Sequence, residues 1–237
     1  MTETFDHAVV LTEPPRPDKS AETEGLGHLP AFNSALEQVG VPWKWDAQIY
    51  KKLLRITGGF ERLKAYREML REHDVSEASQ LPSDSVLKEV HLIKNQIYTQ
   101  LVERGVVQSR PGLLGFINQM AAQQKIWGIV TTTSRSNWDG LWQWVLKKGM
   151  QTEPAVVICG EDVMCKKPNP EAYVLAAQKL NLDPSTCLAV EDSENGVIAA
   201  KEAGMKVLVV QSQFFADGDF SDASYVVNHF TEIRATF

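Results

Sequence analysis

The chain has 237 residues, 43% of them hydrophobic and 23% charged, enough for one generous domain or for a core domain carrying a smaller insert. A formal charge of −6 argues against a nucleic-acid partner, because phosphate backbones are held by clustered Lys and Arg. No apolar run approaches the roughly 20 residues of a membrane span, and the N-terminal MTETFDHAVV lacks the basic and apolar regions of a secretory signal.

Cys159, Cys165 and Cys187 show no C-x-x-C or Cys/His spacing, so they read as free thiols in a cytoplasmic or comparably reducing compartment.

The first apolar run, Ala8–Leu11, has the length and bounds of a buried strand. It leads into LTEPPRPDKSAETE, Leu11–Glu24, where prolines replace any regular pattern. From Ala31 to Arg104 apolar residues recur three and four apart, which predicts helices. Ser109-Arg110-Pro111-Gly112 breaks that rhythm. Beyond it come apolar runs at Trp127–Val130, Ala155–Cys159, Cys187–Val190 and Lys206–Val210, each separated from the next by a helix-like stretch. That alternation is the βαβ rhythm of a parallel sheet. The expected architecture is therefore an α/β, Rossmann-like core from residues 1–20 and 106–237, with a helical cap of residues 21–105 inserted after the first strand. Trp138, Trp142 and Trp144 stand close together, with Trp138 and Trp142 four apart on one helical face; they are expected to pack in the core or between core and neighbour, whereas an exposed pair would point to a partner surface.

Ligands of open parallel sheets bind beyond the carboxyl ends of the strands, so the residues there carry the functional reading. After Trp127–Val130 comes TTTSRSN: Thr131, Thr132 and Ser134 bring hydroxyls and backbone N–H groups that suit an anion, although Ser134 also suits a helix cap. After Ala155–Cys159 comes GEDVMCKKPNPEAY, in which Lys167 precedes Pro168 and is kept out of helical geometry. A lysine there can hold a phosphate or offset its charge, or else is simply a solvated lysine, the reading Lys166 takes. After Cys187–Val190 stand Glu191 and Asp192, adjacent carboxylates suited to Mg²⁺, or else Asp192 or Ser193 simply caps the next helix. Gly196 is expected to serve close helix–strand approach.

A hydroxyl, a Lys-Pro and an acidic pair, in that order after successive strands, resemble the motifs of the haloacid dehalogenase (HAD) superfamily. The helical insert resembles its C1-type cap. AETEGLGHLPAFNSAL (Ala21–Leu36), WKWDAQIYKKLLRITGGFERLKAY (Trp43–Tyr66), SRPGLL (Ser109–Leu114), VTTTSRSN, KKPNPEAYVLAA, VEDSENGVIAAKEAGM and FFADGDFSDASYVV (Phe214–Val227) narrow the likeness to CbbY-type and β-phosphoglucomutase-like members. The resemblance covers nearly the whole chain. It implies Mg²⁺-dependent chemistry on sugar phosphates, with Thr131 and Lys167 at the phosphate, Glu191 and Asp192 at the metal, and Glu24, His28, Arg62, Thr132 and Ser134 around the substrate.

The same resemblance exposes a gap. The family's first strand ends in D-x-D-G, whose first Asp attacks phosphorus and whose second is general acid and base. Here the strand-forward register puts Thr12 and Pro14 at those positions, and the backward register puts Pro15 and Pro17 there. Cap positions also differ, with Leu29 following His28 and Phe60 standing where the family often has Lys. Three expectations stay open at this point. One is a degenerate member that keeps sugar-phosphate binding and weakened Mg²⁺ binding. Another is a working phosphatase or phosphomutase using Glu13 or Asp18. The last is a structural protein serving a protein partner.

Overall fold

The computed structural model describes residues 8–11, 23–73, 81–212 and 214–233. Its core is one sheet of parallel strands: β1 (Ala8–Leu11), β2 (Ile126–Val130), β3 (Val156–Ile158), β4 (Cys187–Glu191), β5 (Lys206–Val210) and β6 (Tyr225–Val227). They lie in the order β3-β2-β1-β4-β5-β6, so the first strand is central, with Leu11 paired to Ile129 on one side and Val190 on the other. The chain reverses its direction of winding beside β1, which makes the ends of β1, β2 and β4 the place for a ligand. Among the described residues no helix is long and apolar enough to cross a membrane.

The strands alternate side chains between two packed layers, as a two-residue period requires. Cys187 and Ala189 of β4, with Val207 and Val209 of β5, face a cluster built with α7 (Glu171–Leu180) and α8 (Glu194–Glu202). Leu188, Val190, Leu208 and Val210 face the opposite cluster, built with α5 (Leu113–Ala122) and α6 (Arg135–Leu141). Small residues on α7 and α8, among them Ala172, Ala176 and Ala200, let those helices lie close on the sheet. Trp138 is buried and stacks on Trp142 with ring centroids 6.1 Å apart, whereas Trp144 is 45% exposed.

Between Leu11 and β2 lie the cap helices α1 (Leu29–Val39), α2 (Ala47–Leu53), α3 (Gly59–His73) and α4 (Asp84–Glu103), preceded by a π-helical turn at Thr23–His28. Asp46 caps α2 and Ser83 caps α4. Phe32, Leu36, Trp45, Tyr50, Leu63, Leu87 and Val90 form their own apolar cluster. Ala31, Tyr98, Val102, Val107 and Leu141 make a smaller one that bridges α1, α4 and α6.

Boundaries differ from the expectation in detail. The third strand keeps only Val156–Ile158 of the apolar run, and the fourth extends to include Glu191. The sequence reading had no sixth strand: β6 is a three-residue edge strand whose Tyr225 and Val226 are exposed, too short to show a period.

Candidate functional site

A cavity of about 160 Å³ opens between cap and core above the end of β2. Glu24, His28 and Arg62 reach it from the cap, and Thr131, Thr132 and Ser134 reach it from the loop after β2. The substrate-side residues expected from sequence are thus brought together, with Thr131. The π-helical turn Thr23–His28 carries Glu24, which is buried and accepts a hydrogen bond from the hydroxyl of Tyr50. His28 stacks on Tyr98 with centroids 3.9 Å apart. Arg62 is anchored by its Nε donating to the carbonyl of Ile56 at 2.9 Å, and its guanidinium lies over the Tyr50 ring at 5.9 Å.

The Thr131 backbone N–H donates to the Ile158 carbonyl at 2.9 Å, and its Oγ1 accepts from the Thr133 N–H at 3.1 Å, so the loop curls tightly off the strand. Gly160 lies against it: a Cβ there would stand 2.6 Å from the Thr132 carbonyl oxygen. Ser134 both lines the cavity and caps α6, accepting from the Asn137 N–H at 3.3 Å. The next backbone N–H of α6, on Arg135, donates to the Glu161 carboxylate at 3.1 Å. The start of that helix therefore holds a carboxylate of the chain itself.

Lys167, Glu191 and Asp192 are not part of this lining. They form a buried cluster beside it, at the ends of β2 and β4. Lys167 Nζ donates to the Val130 carbonyl at 3.1 Å and to Glu191 Oε1 at 2.9 Å, and Tyr173 OH donates to the same Oε1 at 2.5 Å. The side chains of Lys167 and Glu191 are 4% and 0% exposed, so the pair is fully desolvated and its hydrogen bonds decide its worth. Glu191 lies directly over Gly196, whose added Cβ would stand 2.0 Å from the carboxylate. The close approach expected of Gly196 is thus to a side chain. Ser193, the residue after the pair, is the helix cap, accepting from the Gly196 N–H at 3.3 Å.

As a Mg²⁺ site the described residues are incomplete. No three His, Cys, Asp or Glu side chains among them gather into a metal-binding group. Glu191 is already engaged by Lys167, by Tyr173 and by the Asp192 N–H at 3.3 Å. Those residues by themselves do not fit the ion. Thr12, Glu13, Pro14 and Asp18 lie outside the described residues. The chain does hold one Asp-x-Asp, Asp217-Gly218-Asp219, but on the loop after β5. Asp217 pairs with Lys51 at 3.1 Å, and Asp219 accepts from the Ser221 N–H at 2.9 Å.

Several lining residues were missed by the sequence reading: His91, Lys94 and Asn95 on α4, Asn137 on α6, and Lys166. Lys166, taken as solvated, pairs with Glu61 of α3 at 2.7 Å and ties the cap to the core. Burial works to raise the Glu61 carboxyl, but its hydrogen bond to Lys166, a backbone hydrogen bond and the nearby charges of Lys166 and His91 together hold it below the usual range. Lys94 is buried between the rings of Phe32 and Tyr98, at 5.0 and 5.2 Å from their centroids. Burial pushes its ammonium down to about 7, with Glu24 opposing and Arg62 assisting. Burial likewise lowers His91 to about 4, so its imidazole is neutral near pH 7. The cavity therefore combines hydrogen-bond donors from Arg62, Lys166 and Lys94 with the acceptors Glu24 and Glu161. It can hold an anionic group beside hydroxyls.

Residues 19–204 match the haloacid dehalogenase-like hydrolase family, a span that begins beyond β1 and most of the proline-rich stretch. Protein CbbY of Rhodobacter capsulatus is 36% identical over 205 residues, covering 86% of each chain. CbbY from Rhodobacter sphaeroides, solved in complex with phosphate, superposes with a TM-score of 0.80 at 29% identity over 95% of both chains. A variant of that protein, solved in complex with xylulose-(1,5)bisphosphate, gives a TM-score of 0.81 over the same shares. The chain belongs to the haloacid dehalogenase-like hydrolases, with the phosphatase lineage of CbbY as its relatives.

Proposed function

We propose that this protein binds a phosphorylated sugar between cap and core and has lost, or keeps only weakly, the phosphoryl transfer of its lineage. One observation carries the reading: a polar cavity is retained while the segment after β1 holds no pair of aspartates two residues apart. Thr12 and Pro14 stand where the strand-forward register needs the nucleophile and the acid–base group. Loss of a nucleophile in covalent catalysis typically costs 10⁴- to 10⁶-fold in rate, leaving only binding and electrostatic assistance. Thr12 as an alternative nucleophile would need a base, which Pro14 cannot supply.

The ligand class follows from the donors and acceptors of the cavity. Arg62, Lys94 and Lys166 suit phosphate oxygens, and Glu24 suits hydroxyls. Support comes from the R. sphaeroides CbbY variant in complex with xylulose-(1,5)bisphosphate. In this reading the cap is residues 21–105, Thr131 and Lys167 are remnants of the phosphate site, and Mg²⁺ binding at Glu191 and Asp192 is weak. The setting is a cytoplasmic or similarly reducing compartment, in keeping with free Cys159, Cys165 and Cys187.

The test pairs turnover with binding. Phosphate release from p-nitrophenyl phosphate and from xylulose 1,5-bisphosphate, with and without Mg²⁺, is expected to stay near background. The same bisphosphate is expected to raise the melting temperature, because ligand at about 100 times its Kd adds roughly 2.7 kcal/mol of stability. Mg²⁺-dependent turnover abolished by Asp192→Asn would overturn the loss of chemistry and leave an enzyme using Glu13 or Asp18. No stabilisation by any sugar phosphate would overturn the binding and leave a structural or partner-binding protein.

A further inference from the structure

Asn137, on α6 of the core, lines the cavity and is only 2% exposed. Its Nδ2 donates to Asn95 Oδ1 of α4 and to Thr133 Oγ1, both at 3.2 Å. The orientation of this amide is fixed from outside. In its ammonium form, below about pH 7, Lys94 can only donate, and its Nζ donates to Asn95 Oδ1 at 3.3 Å, so Asn95 presents its oxygen to Asn137. Asn137 must then present its amino group, and both of its hydrogens are taken. That leaves Asn137 Oδ1, a buried carbonyl oxygen accepting no hydrogen bond from the described residues.

Leaving such an oxygen unsatisfied is costly, and a buried orphan in a cavity wants a partner from the ligand. The partner must donate. A phosphate dianion offers only acceptors, whereas a hydroxyl carries a proton to give. We infer that Asn137 reads a hydroxyl on the carbon chain of the ligand, accepting its hydrogen bond on Oδ1, while the cationic groups take the phosphate. The inference rests on the sugar-phosphate reading and deepens it, by naming a residue that separates a polyol phosphate from a bare one. Since Asn95 belongs to the cap and Asn137 to the core, the same hydroxyl would sit at the closed junction between them.

Equilibrium titration of the whole protein with three probes tests this: xylulose 1,5-bisphosphate, the hydroxyl-free pentane-1,5-diol bisphosphate, and inorganic phosphate. The native chain is expected to favour xylulose 1,5-bisphosphate over the diol bisphosphate by at least about tenfold, with inorganic phosphate weakest. Asn137→Ala is expected to weaken the sugar bisphosphate by roughly tenfold and the diol bisphosphate by less than about twofold. Asn137→Asp keeps an acceptor and is expected to retain the preference while weakening both ligands through its charge. Equal affinity of the native chain for both bisphosphates overturns the inference without touching the sugar-phosphate reading, and needs no variant. Asn137→Ala weakening both ligands alike overturns it too, because that result describes a strut between cap and core. Binding of neither bisphosphate by the native chain overturns the inference, and the sugar-phosphate reading falls with it if no other sugar phosphate stabilises the fold.

Discussion

Glu191 shows how one residue can be claimed by its surroundings. It ends β4 inside the sheet, receives Lys167 and Tyr173 on one oxygen, and lies on the bare backbone of Gly196. Gly196→Ala would place a methyl group 2.0 Å from that carboxylate and push it off its donors. Breaking a buried pair strands a charge, so denaturant melts are expected to show a loss of about 3 kcal/mol, against about 1 kcal/mol of gain for an ordinary helical Gly→Ala.

Lys94 makes the opposite kind of prediction, because its burial costs stability. Between about pH 7 and 10.5 the folded chain has released the Lys94 proton while the unfolded chain still holds it. The unfolded state binds more protons there, so the Lys94 contribution to stability rises with pH across that window. His91 adds a second rise between about 4 and 6.5, the same sign for the same reason, so its stability is lost as pH falls through that range. Lys94→Met is expected to flatten the upper slope in urea melts and to stabilise the ligand-free protein at pH 6 by roughly 1–3 kcal/mol, while weakening phosphate-ligand binding.

At the scale of elements, the cap is held on the core by a few polar ties, by the apolar cluster that bridges α1, α4 and α6, and by Phe214 and Phe215 packed against the cap cluster. Asn195 Nδ2 at the start of α8 donates to the Arg55 carbonyl at 2.9 Å and to Thr57 Oγ1 at 3.1 Å, both just beyond α2. Lys166–Glu61 and Lys51–Asp217 add ion pairs, and Phe214 from the core meets the Tyr50 ring at 6.2 Å. Exposed pairs are worth under about 1 kcal/mol, but the bonds of Asn195 are local and geometric. Asn195→Ala is expected to cost no more than about 1–2 kcal/mol globally, yet to speed amide hydrogen exchange over residues 54–62 by roughly tenfold, since it frees that segment from the core.

The elements differ in how far the sequence betrays them. The period of α4 was readable, and so was the parallel sheet, since both rest on repeating burial. What periodicity hid was Lys94: it occupies the same buried face as Leu87, Val90, Tyr98 and Val102. A lysine at a core position of an amphipathic helix was the clue, and reading it needs the lining of the cavity as well as the helix. Lys166 and Lys167 illustrate the same limit. Adjacent in sequence, one meets the cap and the other the sheet, and only the turn after β3 decides which. The short edge strand β6 has too few residues to carry a period at all.

For the molecule as a whole, the proposed loss of chemistry should be separable from the scaffold. Leu11 is paired on both sides within the central strand, whose neighbours are the strand that precedes Thr131 and the strand that ends in Glu191. If the lineage's activity was lost through the residues after β1, and the rest of the architecture still positions a phosphoryl group, carboxylates restored there are what is lacking. The lineage's chemistry needs a nucleophile and an acid–base carboxylate acting as a pair, which is why both are restored together, at positions 12 and 14 of the strand-forward register. Thr12→Asp with Pro14→Asp is therefore expected to bring Mg²⁺-dependent hydrolysis of a sugar bisphosphate at least about 100-fold above the native chain, measured as phosphate release under single-turnover conditions. Each single replacement should stay near background, because a nucleophile without its acid–base partner, or the reverse, acts far below the unit. Melting curves taken beside the assay guard the interpretation, since removing Pro14 also frees the unfolded chain and lowers stability by up to about 1 kcal/mol. A folded double variant with no gain in turnover, still stabilised by the bisphosphate, would locate the loss elsewhere, with the engagement of Glu191 by Lys167 and Tyr173 as the next place to cut.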